Sequence, residues 1–503
     1  MAVTDRQYRY LVILGVMTAA VMQVLDITIV NVALPHMMGS LGATPDQITW
    51  VLTSYMVASV VIMPTMGFLT ARFGRKRVLV ISITGFIVAS CLCGLAQNLF
   101  QVVLFRLLQG MFGAALAPLS QAIMVDIYPP EERGKAMAIW SMGVVMGPIL
   151  GPTLGGYLTQ VLSWRWVFYV NLPVGIFSLL LCLLAVHDTQ QNQNNKPFDW
   201  KGFTLLALGI GALQYVLDRG NQEDWFGSHV IQVMTLLSVI GLVGFAIYGI
   251  THSRECFVNL RLFKDRNFAI ANILIAALGL AFYGTLFVQP LLLISILNYP
   301  TFDAGLAMAP RGIAAMIGMM IVGRVIQRIE PRLIALAGLS IAAIGVYVTT
   351  FYSVTIDMWW ATWPGIVQGL GIGMALVPIS TIAFKTLPRE SSSEGAGLFS
   401  LMRVMGGSIG IAIAGTILSR HTQIAWNHLA GHFDLYNPAL NRHLSALHQN
   451  LSESQVMANL NRELERQAFV LGIVDVFILI TWSLIIMLPM VLAVSSSKRT
   501  KPQ

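Results

Sequence analysis

The sequence has few charged residues. Only 11% of its 503 residues are Asp, Glu, Lys or Arg, whereas 56% are hydrophobic and the mean hydropathy is +0.71. A soluble domain carries about a quarter charged residues, so this deficit excludes an ordinary soluble enzyme. At about 20 apolar residues per membrane-spanning helix, the length accommodates a dozen or more spans joined by short loops. The sequence therefore predicts an all-α polytopic membrane protein.

Cysteine is also scarce, and its four copies have no metal-binding spacing. No G-x-x-x-x-G-K-[ST] sequence is present, which argues against direct use of ATP. The chain has neither a convergent nucleophile and base nor a sizeable soluble output segment, so we expect neither an enzyme nor a sensor. We also expect no metal and no cofactor. The net charge of +8 reflects membrane topology, as shown next, and not a nucleic-acid partner.

The apolar runs predict fourteen membrane helices. If the N-terminus is cytoplasmic, 23 of the 31 Lys and Arg residues fall in cytoplasmic segments, 6 fall in outer segments, and Arg106 and Arg311 lie inside helices. This bias follows the positive-inside rule and predicts that both termini are cytoplasmic. The predicted helices lie near 11–34, 47–70, 78–98, 100–124, 136–159, 165–186, 201–217, 229–250, 268–292, 303–327, 331–351, 358–383, 395–418 and 469–493.

The chain contains an internal repeat. The Gly-x-x-x-x-Arg spacing of Gly67 and Arg72 recurs at Gly323 and Arg328, and the Gln-Gly pair at 109–110 recurs at 368–369. Duplicated halves around a midplane site are typical of secondary transporters. We therefore predict two six-helix halves and two extra central helices that lie outside the repeat. The predicted units are residues 1–190, residues 197–252, and residues 253–503, which include an outer loop at 420–467.

Several polar residues lie inside the predicted helices. Asp26 lies well within the first helix, where an ionised carboxylate must pair, face water or take up a proton, as coupling to a proton gradient requires. Arg106 stays charged and needs a partner; structural pairing is the alternative to a role in coupling. Asp475 is a third candidate, with a helix-start role as its alternative. Candidate cavity residues, each of which could instead form an interhelical hydrogen bond, are Gln23, Asn31, Gln109, Gln289, Arg311 and Gln368.

The fifth predicted helix has glycines at four-residue steps and two prolines. Glycines on one helix face allow close approach of a second helix, and prolines loosen the backbone ladder. The pattern predicts a bend or a tight packing seam. The residues concerned are Gly143, Gly147, Pro148, Gly151, Pro152 and Gly155.

Together these segments resemble the fourteen-helix drug:proton antiporter branch of the major facilitator superfamily. The resemblance implies proton-driven export of hydrophobic or amphipathic toxic compounds across a bacterial inner membrane, by alternating access, with Asp26 and Arg106 at functional positions. The segments that carry it are LDITIVNVALP (25–35), GFLTARFGRKR (67–77), FRLLQG (105–110), GVVMGPILGPTLGG (143–156) and WRWVFYVNLPVG (164–175).

One position departs from the family pattern. The superfamily usually places an Asp where this chain has Ala71, so its gating charge relay does not carry over. We therefore expect the basic cluster between the second and third helices to act mainly as a topology anchor. The conformational motif that we assign there comprises Gly67, Arg72, Gly74 and Arg75.

Two questions remain open at this level. The resemblance implies that the outer segment 420–467 docks a periplasmic membrane-fusion adaptor, and that the adaptor and an outer-membrane channel complete a three-part pump. The alternative is that this segment is a solvated cap without a partner. Besides membrane lipids, we expect amphipathic or hydrophobic substrates. The alternative is a proton-coupled transporter of an anionic or nutrient substrate such as a fatty acid, which the two arginines inside the helices, Arg106 and Arg311, would suit.

Overall fold

The computed structural model describes residues 5–129, 132–187, 197–252, 256–388, 391–431 and 453–494. In these ranges the fold is helical, and fourteen helices are long and apolar enough to cross a membrane. They are α1 (Tyr8–Leu41), α2 (Trp50–Phe73), α3 (Arg75–Leu95), α4 (Leu99–Ile127), α5 (Arg133–Val161), α6 (Trp166–Ala185), α7 (Trp200–Arg219), α8 (His229–Thr251), α9 (Arg266–Ile296), α10 (Asp303–Val325), α11 (Pro331–Thr349), α12 (Met358–Lys385), α13 (Ser392–Ala430) and α14 (Gln455–Leu492).

The predicted count of fourteen helices is confirmed, but the last two helices are longer than predicted. α13 continues twelve residues past the predicted end at 418, and α14 begins fourteen residues before the predicted start at 469. Both extensions are polar, so the hydropathy of the sequence does not include them. The polar stretch 432–452 between them, which belongs to the predicted outer loop 420–467, lies outside the described residues.

Local side chains explain several helix ends and one interruption. The side chains of Asn98 and Asp357 accept the Gln101 and Trp360 backbone N–H groups and so cap α4 and α12. Within α4 the helix is interrupted after Gly113, and Gln23 of α1 accepts the Ala117 backbone N–H at 2.8 Å. A buried backbone donor that the interruption leaves without its helical partner is thereby satisfied.

The helices pack in the same pairs in both halves. In the first half α1 packs on α5 and α6, and α4 packs on α2 and α3. In the second half α9 packs on α13 and α14, and α12 packs on α10 and α11. The remaining helices, α7 and α8, pack on one another, and α7 also contacts α2 and α13. The fold therefore consists of two similar six-helix halves with an additional helix pair beside them.

The two halves contact each other at the end of the bundle that carries Arg72, Arg75 and Lys76, here called the basic face. A Cβ on Gly67 of α2 would lie 2.7 Å from the Glu394 Cβ of α13, so these helices are in direct contact. The Arg133 Nη1 of α5 donates to the Phe384 carbonyl oxygen of α12 at 3.1 Å. The halves are thus closed against each other at the basic face.

Arg75 makes contacts that the expected anchor role does not require. Its side chain is buried, forms an ion pair with Asp126 of α4, and donates to the Ser392 Oγ of α13 at 2.9 Å. Gly74, just before it, has a φ of 84°, a conformation that favours glycine and allows α2 and α3 to meet in a tight turn. The motif therefore joins the two halves, although Ala71 removes the usual acidic residue.

The glycines of α5 form the predicted packing seam, and their partner is α1. A Cβ on Gly147 would lie 2.6 Å from the Val24 Cγ1, and one on Gly151 would lie 2.1 Å from the Thr28 Oγ1. The Thr28 hydroxyl donates to the Gly147 carbonyl oxygen at 3.0 Å. The glycines of α5 therefore pack directly against α1 side chains on either side of Asp26.

The seam predicts that Gly151→Ala destabilises the protein. Because the added methyl group has no space, we expect a cost of about 1–3 kcal/mol and a lower unfolding temperature in detergent. Gly156→Ala is the matched control on the same helix, since nothing lies within 4 Å of its Cβ position. That variant should be neutral or slightly stabilising, because Ala favours helix over Gly. Equal unfolding temperatures for the two variants would contradict the seam.

Candidate functional site

Asp26 and Arg106 form an ion pair in the interior of the first half. The Arg106 Nη1 lies 2.5 Å from the Asp26 Oδ2, and both side chains are 0% exposed. The pair brings α1 and α4 together at the depth that the sequence predicts for Asp26. Two residues that sequence analysis singled out separately therefore belong to one site.

Amide side chains hydrogen-bond the other carboxylate oxygen. The Gln109 Nε2 and the Asn171 Nδ2 donate to the Asp26 Oδ1 at 2.9 and 2.7 Å. Gln109 also accepts from the Arg106 Nη1 at 2.9 Å, and Asn171 also donates to the Ser90 Oγ at 3.0 Å. The site thus draws on α1, α3, α4 and α6, and its carboxylate has one cationic and two neutral donors.

Arg106 has further contacts with α2. Its Nε donates to the Val51 carbonyl oxygen at 3.1 Å, and its guanidinium carbon lies 4.2 Å from the centre of the Tyr55 ring. An ion pair taken out of water requires a close counter-charge and additional hydrogen bonds to offset desolvation. The contacts around Asp26 and Arg106 supply both. In this conformation the pair is therefore stable and sealed from water.

The predicted cavity residues are mostly occupied by protein partners. Gln23 holds the interrupted turn of α4, and Gln109 belongs to the Asp26 site. In the second half the Gln368 Nε2 donates to the Thr285 Oγ1 at 2.9 Å, and the Gln289 Nε2 donates to the Ala361 carbonyl oxygen at 3.3 Å. Asn31 is exposed and donates only to its own helix.

Among these candidates, Arg311 lines an internal cavity between the halves. Two adjoining cavities share the α5 residues Val145 and Pro148 and the facing residues Phe282 and Ile372. Arg311 of α10 lines the larger one, and Arg403 of α13 lines the smaller one. The prolines of α5 thus face the cavity, while the glycines of the same helix face α1.

Asp475 lies away from the Asp26 site. Because α14 begins far earlier than predicted, Asp475 is not near a helix start, and the alternative role there does not apply. Its Oδ2 lies 2.7 Å from the Nδ1 of His421, in the outer part of α13. Both side chains are partly exposed, and the pair links α13 to α14.

Sequence analysis missed several members of the site. Asn171 lies in the recognised segment 164–175, but its polar side chain was not considered. Tyr55 gives no signal of its own. Arg403 was counted among the cytoplasmic Lys and Arg residues, which is wrong, because it lies within α13 and lines a cavity. Asp218 of α7 was also missed; it accepts from Gln214, which also donates to the Ser408 hydroxyl oxygen of α13 at 2.9 Å.

The described residues contain no group of three or more His, Cys, Asp or Glu that could hold a metal ion. The four cysteines are all free thiols. Of the histidines in the predicted outer loop, His432, His443 and His448 lie outside the described residues.

Comparison with known proteins agrees with this architecture. A family model described as the Major Facilitator Superfamily matches residues 16–411. The chain is 35% identical to the fatty acid resistance protein FarB of Neisseria gonorrhoeae, over 94% of this chain and 93% of that protein. It is 34% identical to the multidrug export protein EmrB of Haemophilus influenzae, over 93% and 92%.

The fold also resembles solved transporter structures. The crystal structure of the human organic anion transporter MFSD10 (TETRAN) superposes with a TM-score of 0.59 over 96% of this chain and all of the other, at 12% identity. At that identity the likeness concerns the fold alone. The chain therefore belongs to the Major Facilitator Superfamily of transporters. Within the superfamily it is a member of the fourteen-helix group of EmrB-type multidrug export permeases.

The buried ion pair predicts strongly non-additive substitutions. Arg106→Gln leaves the Asp26 charge without its counter-charge, and breaking a buried pair in this way costs about 3–5 kcal/mol. Asp26→Asn combined with Arg106→Gln removes both charges, so the double variant should unfold at a higher temperature than Arg106→Gln alone. Thermal unfolding of the single and double variants in detergent measures this. A double variant less stable than Arg106→Gln would show that the two residues act independently.

Proposed function

We propose that this chain exports hydrophobic or amphipathic toxic compounds in exchange for protons. The observation that carries the proposal is the fully buried carboxylate of Asp26 on α1. This helix packs closely against α5, which lines the central cavity. Relatives named for multidrug export and for fatty acid resistance support the direction of transport. The inward proton gradient supplies the energy, and no cofactor takes part.

Asp26 is the proton-binding group. In the conformation described, its charge is balanced by Arg106 and by two amide donors. A proton bound to Asp26 removes the charge that compensates Arg106, and a buried guanidinium without a counter-charge is unstable. Protonation must therefore be accompanied by a rearrangement of α1 against α4. The proton enters from the outer side and leaves to the cytoplasm once the site opens there.

The seam between α1 and α5 links the proton site to the cavity. Val24 lies two residues before Asp26, lines the smaller cavity and would be touched by a Cβ on Gly147. Pro148 follows Gly147 and lines both cavities. Because closely packed helices move together, a shift of α1 that follows protonation changes the cavity wall. Substrate release and proton uptake are coupled through this contact.

The protein spans the bacterial inner membrane with the basic face toward the cytoplasm. The distribution of Lys and Arg along the sequence supports this orientation. In that orientation the contacts of Gly67 with Glu394 and of Arg75 with Ser392 close the cytoplasmic side.

Proton coupling predicts that Asp26→Asn abolishes energised efflux. Asn keeps one oxygen that can accept from Gln109 and Asn171 but cannot exchange a proton. Because Arg106 then lacks its counter-charge, folding and membrane insertion of the variant are measured alongside efflux. The measurement is ethidium efflux from re-energised cells, with and without a protonophore. Asp357→Asn is the matched control, since Asn also caps helices and Asp357 caps α12. Unchanged efflux in Asp26→Asn would remove Asp26 from the mechanism.

We also propose that the outer helical extensions dock a periplasmic adaptor. The extensions of α13 and α14 beyond 418 and before 469 carry exposed apolar side chains, among them Ile424 and Met457. Apolar side chains exposed on an outer, otherwise polar surface are typical of a protein contact. An adaptor bound there would pass substrates on to an outer-membrane channel.

Adaptor docking predicts a difference between two assays. Ile424→Ser combined with Met457→Ser should leave transport in membrane vesicles unchanged, because neither residue lies near the cavity or Asp26. Drug resistance of intact cells should fall to the level of cells that lack the adaptor. Equal loss in both assays would instead indicate a role in folding, and full resistance in cells would contradict docking at this surface.

A further inference from the structure

The additional helix pair, α7 and α8, contacts both halves of the bundle. Near the basic face, α2 of the first half and α13 of the second half touch directly, since a Cβ on Gly397 would lie 2.9 Å from the Met63 carbonyl oxygen. Farther from the basic face, α7 packs against both of these helices. The repeat does not account for α7, yet this helix links the two parts that the repeat defines.

The contacts of α7 with the first half are made by packing along α2. A Cβ on Gly211 would lie 3.5 Å from the Val61 Cγ2 of α2, which is ordinary van der Waals contact. Toward the outer end of α7, the Tyr215 ring centre lies 5.7 Å from that of Trp50 of α2, and the Arg219 guanidinium carbon lies 4.7 Å from the same ring centre. α8 in turn packs on α7. The pair therefore follows α2 over most of the length of α7.

Side-chain hydrogen bonds join the pair to the second half. The buried Gln214 Nε2 of α7 donates to the Ser408 Oγ of α13 at 2.9 Å. In the loop between α7 and α8, the Trp225 Nε1 donates to the Thr416 Oγ1 of α13 at 3.0 Å. A single hydrogen bond contributes little net free energy, because water or another acceptor replaces the partner once it is lost. Contacts of this kind can break and form again.

Local structure holds both donors toward α13. The Gln214 Nε2 also donates to the Asp218 Oδ1, one turn further along α7, at 2.9 Å, which fixes the orientation of the amide. Asp224 and Trp225 have φ values of 54° and 48°, a region that bulky side chains rarely adopt. Such a conformation persists where the surrounding contacts require it, and it is frequent at switch regions. The chain thus directs these side chains at the second half.

Alternating access makes the two kinds of contact unequal. When the basic face opens, the halves rock against each other about the central site, so their outer ends approach. Since α7 lies against α2 and α13 at the same time, it cannot keep its place on both. The packing along α2 is the larger contact, and the hydrogen bonds to α13 are therefore the ones that yield.

We infer that α7 and α8 move with the first half, and that the Gln214–Ser408 and Trp225–Thr416 hydrogen bonds form a clasp, which holds the second half while the basic face is closed and releases it when that face opens. Asp218 is a positioning residue that acts through Gln214. The inference goes beyond the proposed export function, because it concerns a movement that transport of any substrate requires.

The first test fixes α7 to one half at a time. In a full chain without the four native cysteines, a short, reducible bis-methanethiosulfonate bridges Gln214→Cys to Ser408→Cys, or Gly211→Cys to Val61→Cys. Ethidium efflux should stop when α7 is bridged to α13 and return on reduction with dithiothreitol. The bridge to α2 should leave efflux unchanged. Full efflux with the α13 bridge complete, or loss of efflux with the α2 bridge, would overturn the inference.

The second test does not depend on transport. Ser393 is buried beside the residues that close the basic face, so the thiol of Ser393→Cys should react slowly with a maleimide in lipid nanodiscs. Adding Ser408→Ala or Trp225→Phe removes one hydrogen bond of the clasp and should speed labelling by about fivefold. Gln232→Leu is the matched control, since Gln232 donates to the Phe226 carbonyl oxygen within the helix pair.

The outcomes of the labelling experiment separate the clasp from the export function. Unchanged labelling in both Ser408→Ala and Trp225→Phe would overturn the clasp, as would equally faster labelling in Gln232→Leu. Faster labelling in the clasp variants, together with no energised ethidium efflux from the unbridged protein, would support the clasp and contradict export of this compound.

Discussion

The structure of the first half depends on one constraint: a charge inside an apolar bundle must have a counter-charge. Asp26 and Arg106 meet this constraint for one another, and the remaining donors and acceptors extend the arrangement to α2, α3 and α6. Every helix that contributes a contact is thereby fixed in depth and rotation. A single proton can undo the balance, because it neutralises one member of the pair while Arg106 keeps its charge at any physiological pH. The contacts that stabilise this site therefore also make it sensitive to protonation of Asp26.

Duplication of the half shows which parts of this site are scaffold and which carry function. Both copies keep the glutamine on the fourth helix and its bond to an oxygen of the first helix, so this bond is part of the shared scaffold. The carboxylate is present only as Asp26, since Thr285 replaces it in the second copy. The guanidinium is present in both, but Arg311 lines a cavity whereas Arg106 is sealed. The two copies thus share the glutamine bond and differ in charge, since the first encloses an ion pair and the second places an arginine beside a cavity.

The sequence predicts the helix count, the repeat and the position of Asp26 in the interior, because hydropathy and spacing report burial and duplication directly. It does not predict which residues meet. The pairing of Asp26 with Asn171, or of Arg75 with Ser392, joins helices far apart in the chain and depends on their relative rotation. The extensions of α13 and α14 escape prediction for another reason: they are polar, and hydropathy registers only the apolar core of a helix.

In the proposed proton exchange, coupling is carried by packing more than by a relay of charges. Ala71 removes the acidic residue that would continue a charge relay at the basic face, and Arg75 compensates only by joining Asp126 to Ser392. Between Asp26 and the cavity the connection is the glycine seam, where the α5 glycines pack directly against the Val24 and Thr28 side chains of α1. A shift of α1 cannot be absorbed there, because the packing leaves no free space. In the proposed exchange the seam therefore passes a change at Asp26 on to Pro148, and with it to the cavity wall.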